Sequence, residues 1–157
     1  EYDTYLIETR EKLTKDDNVL QTSSALDRNE ALQMIANMQY QLQKNPNLEK
    51  SEFDRMKSEI EIATSRIFKK ANDKAEAPDA YQKLSDLLDL VISAVEEDWP
   101  KKNLKPKKKD LKRLGKLCSQ ADKFLKQHED SLDGVEVDDI NLLYVVATSS
   151  IKWTFTT

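Results

Sequence analysis

Apolar residues recur at alternating steps of three and four along most of the chain, the spacing that lines side chains along one face of an α-helix. The clearest series are Phe53, Met56, Ile60, Ala63 and Ile67; Tyr81, Leu84, Leu88, Val91 and Val95; and Leu111, Leu114, Cys118, Ala121 and Leu125, carried on to His128. Each predicts a helix with one buried stripe. A first helix over about 4–15 precedes them, built on Tyr5, Leu6 and Leu13, and gives way to the turn-like Lys15-Asp16-Asp17-Asn18. A second is expected from Asp27-Arg28-Asn29-Glu30, an acidic cap with a Glu three residues on. It carries Ala31, Met34 or Ile35, Met38 and Leu42 to about Lys44, where Asn45-Pro46-Asn47 ends it.

Ser51-Glu52-Phe53-Asp54 has the form of a cap and predicts a third helix ending near Asn72; Pro78-Asp79 opens a fourth, and Pro100 stops it just after Trp99. Leu87, Leu90, Ile92 and Ala94 widen the apolar arc of that fourth helix, which places it at the centre of the bundle. A lysine-rich connection over 100–110 leads into the fifth. After Asp133-Gly134, residues Ile140, Leu143, Tyr144, Ala147 and Ile151 fit a helix to about Ser149, while Ile151, Trp153 and Phe155 alternate as in a strand. The last segment, about 140–157, therefore has a partly extended alternative. Trp153 and Phe155 are expected either to dock onto the bundle or to mark the continuation of a longer chain.

The expected fold is all-α: an up-and-down bundle of five to six helices forming a single domain over residues 1–157. Its predicted core is Met38, Leu42, Phe53, Met56, Ile60, Ile67, Leu84, Leu88, Val91, Val95, Leu114, Cys118, Ala121 and Leu125. No sustained heptad pattern marks a dedicated coiled coil, although the stripes leave helix pairing between chains open.

Composition narrows the function classes. The 157 residues include 2 glycines and 4 prolines, too few turn residues for a many-stranded fold, and Gly115 and Gly134 cannot supply a glycine-rich phosphate loop. A single cysteine, Cys118, excludes an intrachain disulfide and fits a reducing, intracellular setting. No apolar run approaches a membrane span, so a soluble protein is expected.

Candidate chemistry is thin. Cys118 and His128, ten residues apart on one helix, are separated by about 15 Å of rise and cannot form a nucleophile–base pair. The acidic stretch 129–139 contains Asp133-Gly134 as calcium loops do. With Gly134 at the sixth position, however, the ninth and twelfth fall on Val137 and Ile140, which offer no side-chain oxygen. Among the carboxylates, Asp86 with Asp89 and Glu59 with Glu61 are not singled out by any neighbouring pattern. The expectation is a non-enzyme with no catalytic residues, no cofactor and no metal.

One segment stands apart. Residues 101–116 hold nine basic residues, Lys101, Lys102, Lys105, Lys107, Lys108, Lys109, Lys112, Arg113 and Lys116, against one acid, Asp110. The net +8 leaves −12 on the remainder of a chain whose total is −4. Cations at a helix N-terminus oppose the macrodipole by roughly 0.3–1 kcal/mol each, so folding does not require Lys107, Lys108 and Lys109 at the start of the fifth helix. At about 100° per residue, Lys109, Lys112, Arg113, Lys116 and Lys123 lie opposite the apolar stripe of that helix. Lys105-Pro106-Lys107-Lys108-Lys109 resembles a basic nuclear import signal. The segment lacks the aromatic residues on which single-stranded nucleic acid stacks. The primary expectation is a helical interaction or scaffold module working through protein contacts. The alternative is a binder of nucleic acid or anionic lipid through residues 101–116.

Overall fold

In the computed structural model the backbone of residues 1–156 and the side chains of residues 1–149 are described, and over this span the fold is all-α. Six helices make it up: α1 (Tyr2–Lys15), α2 (Asp17–Thr22), α3 (Ala25–Lys44), α4 (Lys50–Ser93), α5 (Lys108–Gln127) and α6 (Val137–Thr156). No helix among the described residues is long and apolar enough to cross a membrane.

Contacts divide the chain into two compact units, Glu1–Ala75 and Glu76–Thr157, with the boundary inside α4. In the first unit, Leu6 and Leu13 of α1, Ala31, Ile35 and Met38 of α3, and Phe53, Ile60 and Ile67 of α4 meet in one core with Val19 of α2. Steps of three, four and seven put each set on one helical face, so each helix loses one apolar stripe from water. Thr9 and Thr64 are buried in this unit because each hydroxyl donates to a carbonyl one turn back, Thr9 to Tyr5 at 2.7 Å and Thr64 to Ile60 at 2.8 Å.

In the second unit, Ala77, Ala80, Leu84 and Leu88 of α4 pack with Ala121 and Leu125 of α5, Val137 and Ile140 of α6, and Val135 from the preceding loop. A smaller cluster of Val91, Trp99 and Leu114 extends this core, with Leu87, Val95, Leu111 and Cys118 half-buried against it. Gly134, at φ +75, sits in the turn closed by Val135 N–H donating to the Leu132 carbonyl, a backbone geometry that glycine adopts without Cβ strain.

Several boundaries differ from the sequence reading. The helix expected to end near Asn72 and the one expected to open at Pro78 are a single helix, α4. The residues between, Asp73-Lys74-Ala75-Glu76-Ala77, carry no terminator and include good helix formers. Pro78, which removes one backbone hydrogen bond, is exposed and sits inside the helix. Helix α3 is capped by Ser24, whose hydroxyl accepts from the Asp27 N–H at 3.1 Å, and Asp27 lies in its first turn. The turn-like Asp16-Asp17-Asn18 instead starts α2, with Asp16 accepting from the N–H groups of Asn18 and Val19. Leu90 is 68% exposed and Ile92 42% exposed, so the wide apolar arc of α4 is not enclosed on all sides as a central helix would be. Pro100 does not stop the helix after Trp99, because helical backbone continues to Lys101. At the C-terminus the backbone is helical from Val137 to Thr156, so the extended alternative over about 140–157 is not adopted there; the side chains of Ile151, Trp153 and Phe155, and with them the docking expectation, lie outside the described residues.

Candidate functional site

The basic segment begins where α4 loosens. After Ser93 the chain makes a π-helical turn, Ala94–Asp98, in which the Trp99 N–H reaches back to the Ala94 carbonyl, and then a last helical turn, Trp99–Lys101. Pro100 has no N–H to donate, and the wider turn accommodates that loss next to the buried Trp99. Two bonds close the end: Asn103 N–H donates to the Pro100 carbonyl at 3.2 Å and Leu104 N–H to the Trp99 carbonyl at 2.9 Å. Asn103 takes the left-handed φ of 54 that this arrangement requires, and asparagine tolerates it better than most residues.

From there Lys105, Pro106 and Lys107 run without helical structure into α5. Lys107 occupies the N-cap position with extended geometry and gives no side-chain cap, since an ammonium cannot accept a hydrogen bond. Asp110, half-buried, is the sole acid in the first turn. The helix thus starts with three cations and no capping acceptor, an arrangement that opposes its own dipole.

All nine basic residues of the segment are exposed. Lys101 faces Glu97 at 4.0 Å, with both side chains well exposed, a contact of little energetic weight. Among the described residues, none of Lys102, Lys105, Lys107, Lys108, Lys109, Lys112, Arg113 or Lys116 has an ion pair. Elsewhere some cations are paired within a helix, Lys15 with Glu11, Arg55 with Glu52 and Glu59, Lys83 with Asp79, and Lys126 with Asp122, whereas in this segment Asp110 is the one acid among nine bases. Lys109, Lys112, Arg113 and Lys116 stand at i, i+3, i+4 and i+7, hence on one face, and the opposite face of α5 buries Leu114, Ala121 and Leu125.

Beside this face lies a groove of about 160 Å³. Val91, Ile92, Val95 and Glu96 form one wall and Leu111, Leu114, Gly115 and Cys118 the other. Sequence reasoning did not identify it, because it arises where the π-helical end of α4 meets α5. One local signal was available: Gly115 interrupts a strongly amphipathic helix, where glycine costs about 1 kcal/mol relative to alanine. A Cβ at Gly115 would meet nothing within 4 Å, so close packing does not demand the glycine.

The chain matches no protein-family model, no curated protein and no solved structure.

The remaining candidates show no assembled chemistry. Cys118 is half-buried and burial pushes its thiol pKa up, the opposite of an activated nucleophile. His128 caps the end of α5 with its ring 4.7 Å from that of Phe124. Asp86 and Asp89 are exposed, Asp86 accepting from the Gln82 amide at 2.9 Å, while Glu59 and Glu61 are exposed partners of Arg55 and Lys57. Among the described residues no three His, Cys, Asp or Glu side chains gather where a metal ion could be held.

Proposed function

We propose that this chain is a non-catalytic helical interaction module whose contact surface is residues 101–116 and whose partner is anionic. The observation that carries the reading is the concentration of nine exposed cations against one acid within residues 101–116, eight of them without an ion pair among the described residues. Their mutual repulsion, and the opposition of Lys107, Lys108 and Lys109 to the α5 dipole, are unfavourable in the free protein. An anionic partner relieves both and releases the counterions held there. The high cysteine pKa and the solvated, paired carboxylates support a role through surfaces and not through catalysis. The exposed, non-helical Lys105-Pro106-Lys107 joined to Lys108 and Lys109 also suits recognition as an import signal, which makes the nucleus the proposed destination.

Titration with heparin, duplex DNA, anionic vesicles and acidic peptides at varied salt tests the proposal. Neutralising about five charges of a duplex gives a slope of log affinity on log salt near −4.5. Exchanging Lys109, Lys112, Arg113 and Lys116 together for Gln is expected to flatten that slope with the helical content unchanged, since all four side chains are exposed. Absence of binding to every one of these probes at low salt would refute the proposal.

A further inference from the structure

The groove beside the basic face gives the anionic partner a second requirement. Its floor is apolar: Val91 and Leu114 are buried, Val95, Leu111 and Cys118 half-buried, and Ile92 forms an exposed lip. Its volume, about 160 Å³, is close to the roughly 150 Å³ of a cavity that holds one benzene ring, so it accepts a single aromatic or branched aliphatic side chain. Its rim is polarised. On α5, Lys108 lies one turn before Leu111 and Lys112 one turn before Gly115, so both cations border that wall, while Glu96 belongs to the opposite wall. Gly115 keeps the passage between the lysines and the floor free of any side chain.

We propose that the groove and the adjoining lysines form one docking site for an acidic amphipathic peptide segment of a protein partner. One apolar anchor fills the groove, carboxylates on one flank of the segment face Lys108 and Lys112, and Glu96 repels the reverse orientation. A nucleic acid duplex satisfies the lysines and leaves the groove unused, which is why the groove favours a protein segment. The inference rests on the anion-binding reading of residues 101–116 and adds the anchor to it.

The test uses the full chain and a synthetic acidic helical peptide bearing one phenylalanine on its apolar face, with a matched peptide carrying alanine there. Burial of the ring is expected to make the phenylalanine peptide bind about 10–100-fold tighter. Gly115→Leu places a better helix former where there is open space and fills the groove; Ile92→Glu alters only the exposed lip and repels the peptide. Either substitution should abolish the difference between the two peptides while circular dichroism stays unchanged. In Gly115→Leu the salt-dependent component should persist. Lys108→Gln with Lys112→Gln should weaken both peptides alike. The phenylalanine peptide should also slow alkylation of Cys118, which lines the floor. Equal binding of the two peptides to the natural sequence, or a preference that survives both groove substitutions, overturns the anchor and leaves the charge reading standing. Tighter binding of duplex DNA than of the phenylalanine peptide, unaffected by Gly115→Leu, overturns it in favour of a polyanion. Failure of every anionic probe removes both readings.

Discussion

The Tyr81 hydroxyl donates to the Leu125 carbonyl at 2.8 Å, joining α4 to the last turn of α5 in the second unit. That carbonyl is among the last four of α5, which have no helical partner of their own, and it also accepts from the His128 N–H at 3.3 Å. Tyr81→Phe keeps the ring against the core and removes only the donor. A loss of about 0.5–1.5 kcal/mol is expected in urea unfolding. An unchanged midpoint would show that water replaces the hydroxyl at no cost.

Asp16 links two helices in the first unit. Its N–H bonds to the Lys12 carbonyl and ends α1, while one carboxylate oxygen accepts from Asn18 and Val19 at 2.9 and 3.2 Å and begins α2. Asp16→Ala leaves those two N–H groups without their acceptor, and Val19, fully buried, is the residue that α2 delivers to the core. The expected loss is about 0.5–2 kcal/mol, with Asp16→Asn retaining most of the stability because its amide oxygen can cap as well. Equal losses in the two variants would assign the effect to charge and not to the cap.

These two contacts mark the limit of what periodicity shows. The stripes Leu84, Leu88, Val91 and Leu114, Ala121, Leu125 can be read directly from the sequence, because long helices repeat the same face and each repeat is buried. Helix α2 is too short to display a period, so Asp16-Asp17-Asn18 reads as a turn. The Pro78 boundary fails because local signals give a preference that a helix packed on both sides of the proline can override. Leu90 and Ile92 show the opposite error: an apolar residue on a helix predicts burial only if a neighbour covers that angle. At the candidate site, the exposure of the nine cations follows from their chemistry. The groove does not, since its two walls, one carrying Glu96 and the other Gly115, come from separate stretches of sequence and face each other only through packing of the end of α4 against α5.

Alkaline pH should act on the first unit through Tyr2. Its hydroxyl donates to an Asp54 carboxylate oxygen at 2.5 Å, and this bond to an anion, with lesser contributions from burial and from the charges of Asp54 and Glu1, pushes the Tyr2 pKa up from 10.0 to about 12. A raised pKa means that the folded state holds the proton more tightly than the unfolded one. The contribution to stability is therefore complete below pH 10 and is lost as pH rises toward 12. The pair is exposed, so the effect on stability is small and the titration is the sharper observable. Absorbance difference titration of the natural sequence against Tyr2→Phe should show the missing tyrosinate ionising near the upper value, and Asp54→Asn should bring it back toward 10.0. Ionisation at the ordinary value in the natural sequence would mean that the contact does not persist in solution.

Stability and binding should move in opposite directions at the start of α5. Lys107 at the N-cap and Lys108 and Lys109 in the first turn stand at the positive end of the helix, without an ion pair among the described residues and with Asp110 as the acid of that turn. Lys108→Gln with Lys109→Gln removes two cations from that end and leaves the exposed stems in place, so the free protein should gain about 0.6–2 kcal/mol at low salt, less as salt screens the dipole. The same double variant should bind acidic peptides and duplex DNA more weakly, with a shallower dependence on salt. A solvated surface with no ligand would show the gain in stability without any change in binding, because there would be no binding to change. A loss of stability would mean that the lysine stems pack against neighbouring apolar surface strongly enough to outweigh the dipole. Measuring urea midpoints and peptide affinity on the same samples across a salt series separates these outcomes. Only the combination of a more stable fold with a weaker, less salt-sensitive complex fits a segment whose charges serve a partner at the expense of the helix that carries them.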